Sequence, residues 1–169
     1  MVVREVVADD HAAVLALNNG AVPHVNALND ELFAWLAGRA DYFRLAEDES
    51  GITGFVLALR SGIEYWSENY AWFSQRFEAF LYLDRAVVTP RAHRQGVGRA
   101  LYDDIAAFAD GRWPRIVLEV NRRPPNPVSI AFHEQMGYRQ AGIREYDERA
   151  KAVVMMERAT SGASSSPRA

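Results

Sequence analysis

Cysteine is absent from this chain of 169 residues, which excludes disulfides, thiolate metal sites and an acyl-cysteine intermediate together. Lysine is nearly absent: of 19 basic residues, only Lys151 is not arginine. The arginines are spread along the chain, form no basic tract and leave a net charge of −3, which argues against a nucleic-acid partner. No apolar run approaches the ~18 residues that a membrane-spanning helix requires. The opening stretch MVVREVVADDHAAV places charges where a signal peptide carries its apolar core, so a cytoplasmic protein without a membrane partner is expected. His11, His24, His93 and His133 lack the close spacing of paired ligands, and no metal is expected. A Gly-x-Ser-x-Gly elbow is missing as well, so nothing supports serine hydrolysis.

What is present is apolar enough to fold: 49% of residues are hydrophobic and 24% charged, and the length suits one domain of ~150 residues. Strand-like and helix-like segments alternate. Val2–Val6 is a short β-branched run, and Asp9 or Asp10 can cap a helix running through Val14 and Leu17. Asn29 is the expected cap of a second helix that buries Leu32, Phe33 and Leu36. Tyr42–Glu47 and Ile52–Leu59 read as a hairpin across the turn Asp48–Gly51. An aromatic-rich insert, Ser61–Phe77, precedes a strong strand from Phe80 to Thr89, stopped by Pro90. Val97, Ala100, Leu101, Ile105 and Phe108 share helical spacing up to Gly111, with Asp103 and Asp104 expected on the solvated face. Arg115–Val120 is a further strand, Asn126–Met136 a helix stopped by Gly137, and Tyr138–Tyr146 with Ala152–Met156 a closing hairpin. The reading is one α/β domain with a mixed sheet over residues 1–159, and a Ser/Gly/Pro-rich tail, 160–169, expected to be disordered.

The most informative stretch runs from Leu81 to Tyr102. A strand enters a loop holding Arg91, His93, Arg94 and Gln95, and Gly96 and Gly98 then open a helix. Glycine lets backbone approach a ligand closely. The unpaired amides at a helix start, with its dipole, favour an anion, and Arg94 and Arg99 add charge-assisted donors for phosphate oxygens. The P-loop pattern fails, because Arg99 and Ala100 follow Gly98 where Lys and Ser/Thr belong. The dinucleotide fingerprint fits poorly, with Leu101 where Gly or Ala belongs, although Glu119 could serve as its acidic ribose partner. A third pattern, Arg/Gln-x-x-Gly-x-Gly/Ala after a strand, fits better, with His93 in the first place.

This loop resembles the acetyl-CoA loop of the GNAT superfamily of N-acetyltransferases. The resemblance continues in Asn126-Pro-Val-Ser-Ile-Ala-Phe-His-Glu-Gln-Met-Gly-Tyr138, which is similar to that family's Asn-x-x-Ala/Ser segment one strand later. It implies an α/β (α+β) GNAT-like domain whose central, mixed, mostly antiparallel sheet of about six to seven strands splays at the cofactor site and is flanked by helices. It further implies that backbone groups of Val87 and Val88 pair with the pantetheine arm. Arg94, Gln95, Gly96, Val97, Gly98, Arg99 and Ala100 would hold the pyrophosphate, and Asn126, Ser129 and His133 would sit beside the cofactor. The family's usual Tyr acid is replaced here by His133, and Tyr138 and Tyr102 are fallback donors. A homodimer is also compatible with the resemblance.

For the base, strand alternation is used. Phe80, Tyr82, Asp84, Ala86 and Val88 point one way and Leu81, Leu83, Arg85 and Val87 the other, so Asp84 and Arg85 are expected not to pair. A carboxylate inside an apolar strand needs a partner or a cleft, which makes Asp84 the first candidate base. Glu78 is the second, if the strand starts early enough to include it. The acceptor pocket is expected from Asn18, Asn19, Tyr65, Tyr70, Trp72 and Tyr82, whose amides and rings suit a small polar or cationic molecule. The expected activity is acetyl-CoA-dependent N-acetylation of a small primary amine. A protein or peptide amine, and a non-catalytic acyl-CoA sensor, are the alternatives.

Overall fold

A computed structural model of the chain describes residues 1–161. It opens with β1 (Val2–Glu5), a 3-10 turn (Ala8–Asp10) and α1 (His11–Gly20), followed by α2 (Asp30–Arg39). The hairpin β2 (Tyr42–Asp48) and β3 (Gly51–Arg60) leads to the short helix α3 (Glu68–Ser74). Next come β4 (Leu81–Val88), a second 3-10 turn (Pro90–Ala92), α4 (Val97–Ala109) and β5 (Arg115–Arg123). Helix α5 (Pro127–Gln135) and the hairpin of β6 (Arg139–Tyr146) with β7 (Lys151–Ala159) follow. The strands hydrogen-bond in the order β1-β2-β3-β4-β5-β7-β6, a mixed α/β sheet in which β7 inserts between β5 and β6. The backbone groups into two compact units, one of residues 1–59 and 83–108, the other of residues 60–82 and 109 onward.

In the first unit, β1 and β2 pair antiparallel with Val3 opposite Ala46, and β2 and β3 with Phe43 opposite Leu57. The turn between β2 and β3 is the expected one: Asp48 accepts from the Ser50 amide at 2.8 Å, and Gly51 takes φ +104°. Every residue from Phe55 to Leu59 is buried, the pattern of a strand covered on both faces. Asn29 caps α2 as its sequence suggests, accepting from the Leu32 amide at 2.8 Å. Asp10 acts differently. Its carboxylate accepts from the Val7 amide at 2.9 Å and from Arg4 at 2.7 Å, and Arg4 reaches on to Glu47 at 2.9 Å. Asp104 faces inward instead of to solvent: Tyr42 donates its hydroxyl at 2.7 Å and Arg44 its guanidinium at 2.9 Å, clasping α4 to β2. Gly54 brings β3 close to the end of β4, for a Cβ there would lie 2.7 Å from the Val87 carbonyl oxygen.

In the second unit, β4 pairs in parallel with β5 at Leu81↔Ile116 and Tyr82↔Val117, and β7 is antiparallel to β5 and to β6. Ser67 caps α3 by accepting from the Tyr70 amide at 3.3 Å. That helix turns the aromatic insert inward. Tyr70, Phe73, Phe80 and Tyr82 form a buried cluster with Val117, Val153 and Met155. Trp72 lies against the β6 bulge at Gly142, where an added Cβ would come within 2.6 Å of its ring. Gly137, with φ +86°, ends α5, and the Tyr138 amide bonds back to the His133 carbonyl at 3.0 Å. Thr160 and Ser161, counted with the tail on sequence grounds, donate amides to the Pro114 carbonyl at 3.2 Å and the Asp110 carboxylate at 2.8 Å. The rest of that expected tail, 162–169, lies outside the described residues.

Candidate active site

In the first unit, β4 runs through the 3-10 turn into the loop that starts α4. Arg94 (φ +60°) and Gly96 (φ +83°) are both left-handed, and this turns the chain into the helix. The Ala100 amide bonds to the Gly96 carbonyl at 2.9 Å. The amides of Val97, Gly98 and Arg99 therefore precede the helical ladder and project from the positive end of the dipole. The space beside Gly96 is open, with nothing within 4 Å of the point a Cβ would occupy, and Arg94 and Arg99 are exposed. The loop is braced on both flanks. Arg91 donates to the Ile52 carbonyl at 3.2 Å, and the Gln95 side-chain amide donates to the Arg91 carbonyl at 2.6 Å. His93 Nε2 donates to the Val88 carbonyl at 2.9 Å. The Gln95 side chain thus serves the loop itself, and the Val88 carbonyl already has a partner.

Asp84 and Arg85 do pair, against the alternation argument: Arg85 Nε donates to Asp84 Oδ2 at 2.7 Å, with the two side chains 4% and 9% exposed respectively. Alternation sets the direction of each Cβ but not the reach of a guanidinium on its long flexible stem, which curls back to its neighbour. Arg85 Nη1 also donates to Asn18 Oδ1 at 3.0 Å and to the Asn26 carbonyl at 3.4 Å. Asn18, fully buried, donates to Asn26 O at 3.1 Å and to Asn19 Oδ1 at 3.0 Å. Asn19 in turn bonds both backbone groups of Leu28 at 2.9 Å. The two asparagines expected to face an acceptor are committed to the loop between α1 and α2.

In the second unit, Asn126 caps α5, accepting from the Ser129 amide at 3.2 Å. His133 is buried, and its Nδ1 donates to the Ser129 carbonyl at 2.7 Å. Burial holds the imidazole below its ordinary value, while the hydrogen bond to Ser129 acts the other way. With Nδ1 carrying the proton, Nε2 of the neutral ring is an acceptor, and it donates only in the imidazolium. Glu78 sits in an exposed bend ahead of β4, so it does not join the face of Asp84 as the second candidate base was expected to. Tyr70 and Tyr82 are core residues, 3% and 1% exposed, because α3 folds their rings inward; the Tyr70 hydroxyl donates to the Arg60 carbonyl at 2.8 Å. Tyr65 and Trp72 pack against the same cluster, half-buried.

A carboxylate that sequence reasoning did not weigh as a base is Glu119 on β5. It accepts from the Tyr82 hydroxyl at 2.9 Å and from the Asn69 amide at 3.0 Å. Asn69 Oδ1 accepts from Arg144 at 3.1 Å, and Arg144 pairs with Glu68. The sequence carries the signal: Glu119 is the one charge in the run Ile116–Val120, the same situation that singles out Asp84. The rings of Tyr65 and Tyr70 lie 6.4 and 5.5 Å from that of Tyr82, so aromatic faces gather around the phenol that holds this carboxylate. Among the described residues no group of three or more His, Asp or Glu is placed to hold a metal ion.

Solved structures share this fold at low identity. The Escherichia coli ribosomal-protein-S18-alanine N-acetyltransferase matches with a TM-score of 0.74 and 20% identity, over 96% of each chain. Chaetomium thermophilum Naa20, solved with a bisubstrate analogue, matches with a TM-score of 0.74 and 22% identity, over 95% of this chain and 87% of that one. Arabidopsis thaliana NAA60, likewise solved with a bisubstrate analogue, gives 0.74 and 15%, over 96% and 99%. No curated protein matches the sequence significantly. The family model described as acetyltransferase (GNAT) family matches residues 11–138, most of the chain, and the protein therefore belongs to the GNAT acetyltransferase family.

Proposed function

We propose that this chain is an acetyl-CoA-dependent N-acetyltransferase that transfers the acetyl group directly to a primary amine of a small molecule. The observation that carries the reading is the start of α4, where the left-handed turn at Arg94 and Gly96 leaves three helix amides and two exposed guanidiniums around open space. These residues fit a pyrophosphate, since amides and arginines complement its charge and glycine leaves room for it. Residues 94–100 would hold that group, and the Val87–Val88 backbone the pantetheine arm. Acetyl-CoA, when bound, supplies the acetyl group as an activated thioester.

The chain's own residues then have two proton tasks. An ammonium has no lone pair, so its proton must leave before attack. Glu119, fixed by Tyr82 and Asn69 and bordered by tyrosine rings, suits a cation and can take that proton. The departing thiolate, with an ordinary value near ~8.5, gains from a proton donor without requiring one. His133 can supply that proton only as imidazolium, from Nε2, because Nδ1 is committed to Ser129.

The Escherichia coli neighbour is named for a protein alanine, and this favours a second reading in which the acceptor is a protein N-terminus. Free-thiol release from acetyl-CoA, with product masses, is the test. The panel contains amino acids, polyamines, aminoglycosides and short peptides beginning with alanine. Turnover with a small amine supports the first reading, and turnover with peptides alone supports the second. Acetyl-CoA binding without turnover of any of them moves the reading to a sensor or to an acceptor outside the panel. Gly96→Val should abolish acetyl-CoA binding, and retained affinity would remove this loop as the site.

A further inference from the structure

Resting on the acetyl-transfer reading above, we infer that the acceptor amine also carries a carboxylate, as a free α-amino acid does. Arg144 on β6 binds that carboxylate while Glu119 on β5 meets the ammonium. In the second unit, Asn69 Nδ2 donates to Glu119 Oε1 at 3.0 Å, and Asn69 Oδ1 accepts from Arg144 Nη1 at 3.1 Å. A negative and a positive charge therefore stand at the two ends of a single neutral carboxamide. A carboxylate and a guanidinium bind each other most strongly face to face. The amide between them leaves a dipolar site where a direct ion pair would have closed one. Its two poles complement a zwitterion, whose ammonium and carboxylate are likewise held apart by one carbon.

These groups line a surface instead of filling a core. Glu119, Asn69, Arg144, Tyr65 and Tyr146 are each half-buried, whereas the Tyr70 and Tyr82 rings are buried. The carboxylate paired with Arg144 is that of Glu68, and the two differ in setting: the arginine side chain is 18% exposed and the glutamate 76%. An ion pair with one member largely in water holds weakly, so a substrate carboxylate can take the place of Glu68 on the guanidinium fork. The Tyr146 ring, 5.1 Å from the guanidinium carbon, steadies the fork through that exchange. Glu68 is then an internal stand-in for the acceptor's own carboxylate.

The test measures free-thiol release from acetyl-CoA with L-amino acids and their matched L-amino-acid amides, using wild type, Arg144→Gln, Arg144→Lys and Glu68→Gln. Amidation removes the carboxylate charge and makes the amine less basic, so a bias toward the free acid cannot come from a larger share of neutral amine. Wild type should favour at least one acid over its amide by at least about tenfold in kcat/KM, the scale of one charged hydrogen bond. Arg144→Gln should bring that ratio near one, chiefly by raising the KM of the acid. Arg144→Lys keeps the charge without the fork and should give an intermediate ratio, which decides the matter if Arg144→Gln fails to fold. Glu68→Gln should lower the KM of the acid, because the internal competitor is gone; an ion pair that only held α3 to β6 would make this variant and Arg144→Gln weaken acids and amides alike. Equal or faster turnover of the amides by wild type, or a ratio untouched in the Arg144 variants, overturns the inference and leaves acetyl transfer standing. If wild type acetylates neither set, melting with coenzyme A and each acid decides. A rise in Tm that Arg144→Gln abolishes keeps the site and removes the transfer reading, and no rise overturns the site.

Discussion

Replacing Gly54 by alanine probes the junction on which the donor site is built. A Cβ at that position would lie 2.7 Å from the Val87 carbonyl oxygen, 3.2 Å from Leu101 Cδ1 and 3.3 Å from Val88 Cα. Ordinary contact begins near 3.4 Å, so the end of β4 must retreat by about 0.7 Å, and two of the three neighbours are backbone that cannot simply rotate away. Overpacking of this kind costs about 1–3 kcal/mol, and for a chain of this size each kcal/mol lowers Tm by roughly 2–4 °C. The variant should therefore melt roughly 2–12 °C below wild type and bind acetyl-CoA more weakly, because the displaced residues are those proposed for the pantetheine arm. Gly38, exposed within α2 and with nothing within 4 Å of its Cβ position, is the matched control. Gly38→Ala should raise stability by about 0.5–1 kcal/mol through helix propensity. Thermal melts and acetyl-CoA titrations of both variants decide the matter. A Gly54→Ala protein that melts with or above wild type would refute the close approach of β3 and β4.

Gly142→Ala should likewise destabilise, by about 1–3 kcal/mol, because its methyl group would enter the Trp72 ring at 2.6 Å; Trp72→Leu should relieve that penalty in the double variant, and urea titrations give both numbers. Glu119→Gln should lower kcat/KM by the ~10²–10⁴ of a lost base while leaving acetyl-CoA affinity unchanged; undiminished turnover would remove it from the reaction. His133 is depressed from 6.5 by burial, so the folded state binds its proton less readily than the unfolded chain. Its contribution to stability is complete above 6.5 and is lost as pH falls through the lower folded value. Melts from about pH 7.5 to about pH 5.5 should fall more steeply for wild type than for His133→Phe. Asp10, held at about 2 by the Arg4 guanidinium, contributes above its ordinary 3.8 and fails as pH drops toward 2, so Asp10→Asn should flatten the acid limb of the stability curve in that window.

Local signals were legible where one residue type has one geometric use. Asn29 reads as a cap and is one; Asp48–Gly51 reads as a hairpin turn and is one; Gly137 ends α5 in the left-handed region. The family resemblance likewise agrees with the architecture, because the loop after β4 and the segment at Asn126 are both local motifs. What escaped were the long-range polar partners. Nothing in spacing tells that Asp104 meets Tyr42, that Glu119 meets Tyr82 and Asn69, or that Asn18 and Asn19 spend their amides on Asn26 and Leu28. Side-chain reach defeated the alternation argument at Arg85, and the start of β4 at Leu81 left Glu78 outside the strand. The insertion of β7 between β5 and β6 was hidden for a similar reason, since a hairpin pattern does not say which of its strands faces the sheet.

The clasp of Tyr42 and Arg44 on Asp104 has a consequence for the aim of the donor loop. A helix advances by ~100° of azimuth per residue, so one side chain pinned in register to a strand fixes the roll of the whole rod about its axis. Asp104 lies about two turns beyond Val97, and Leu101 and Ile105 are buried along the same rod. The compass bearing of the amides at the start of α4 is thus set from below, by β2, before any anion arrives. One residue inserted between Gly98 and Asp104 would leave every loop side chain in place chemically while swinging those amides through more than a quarter circle.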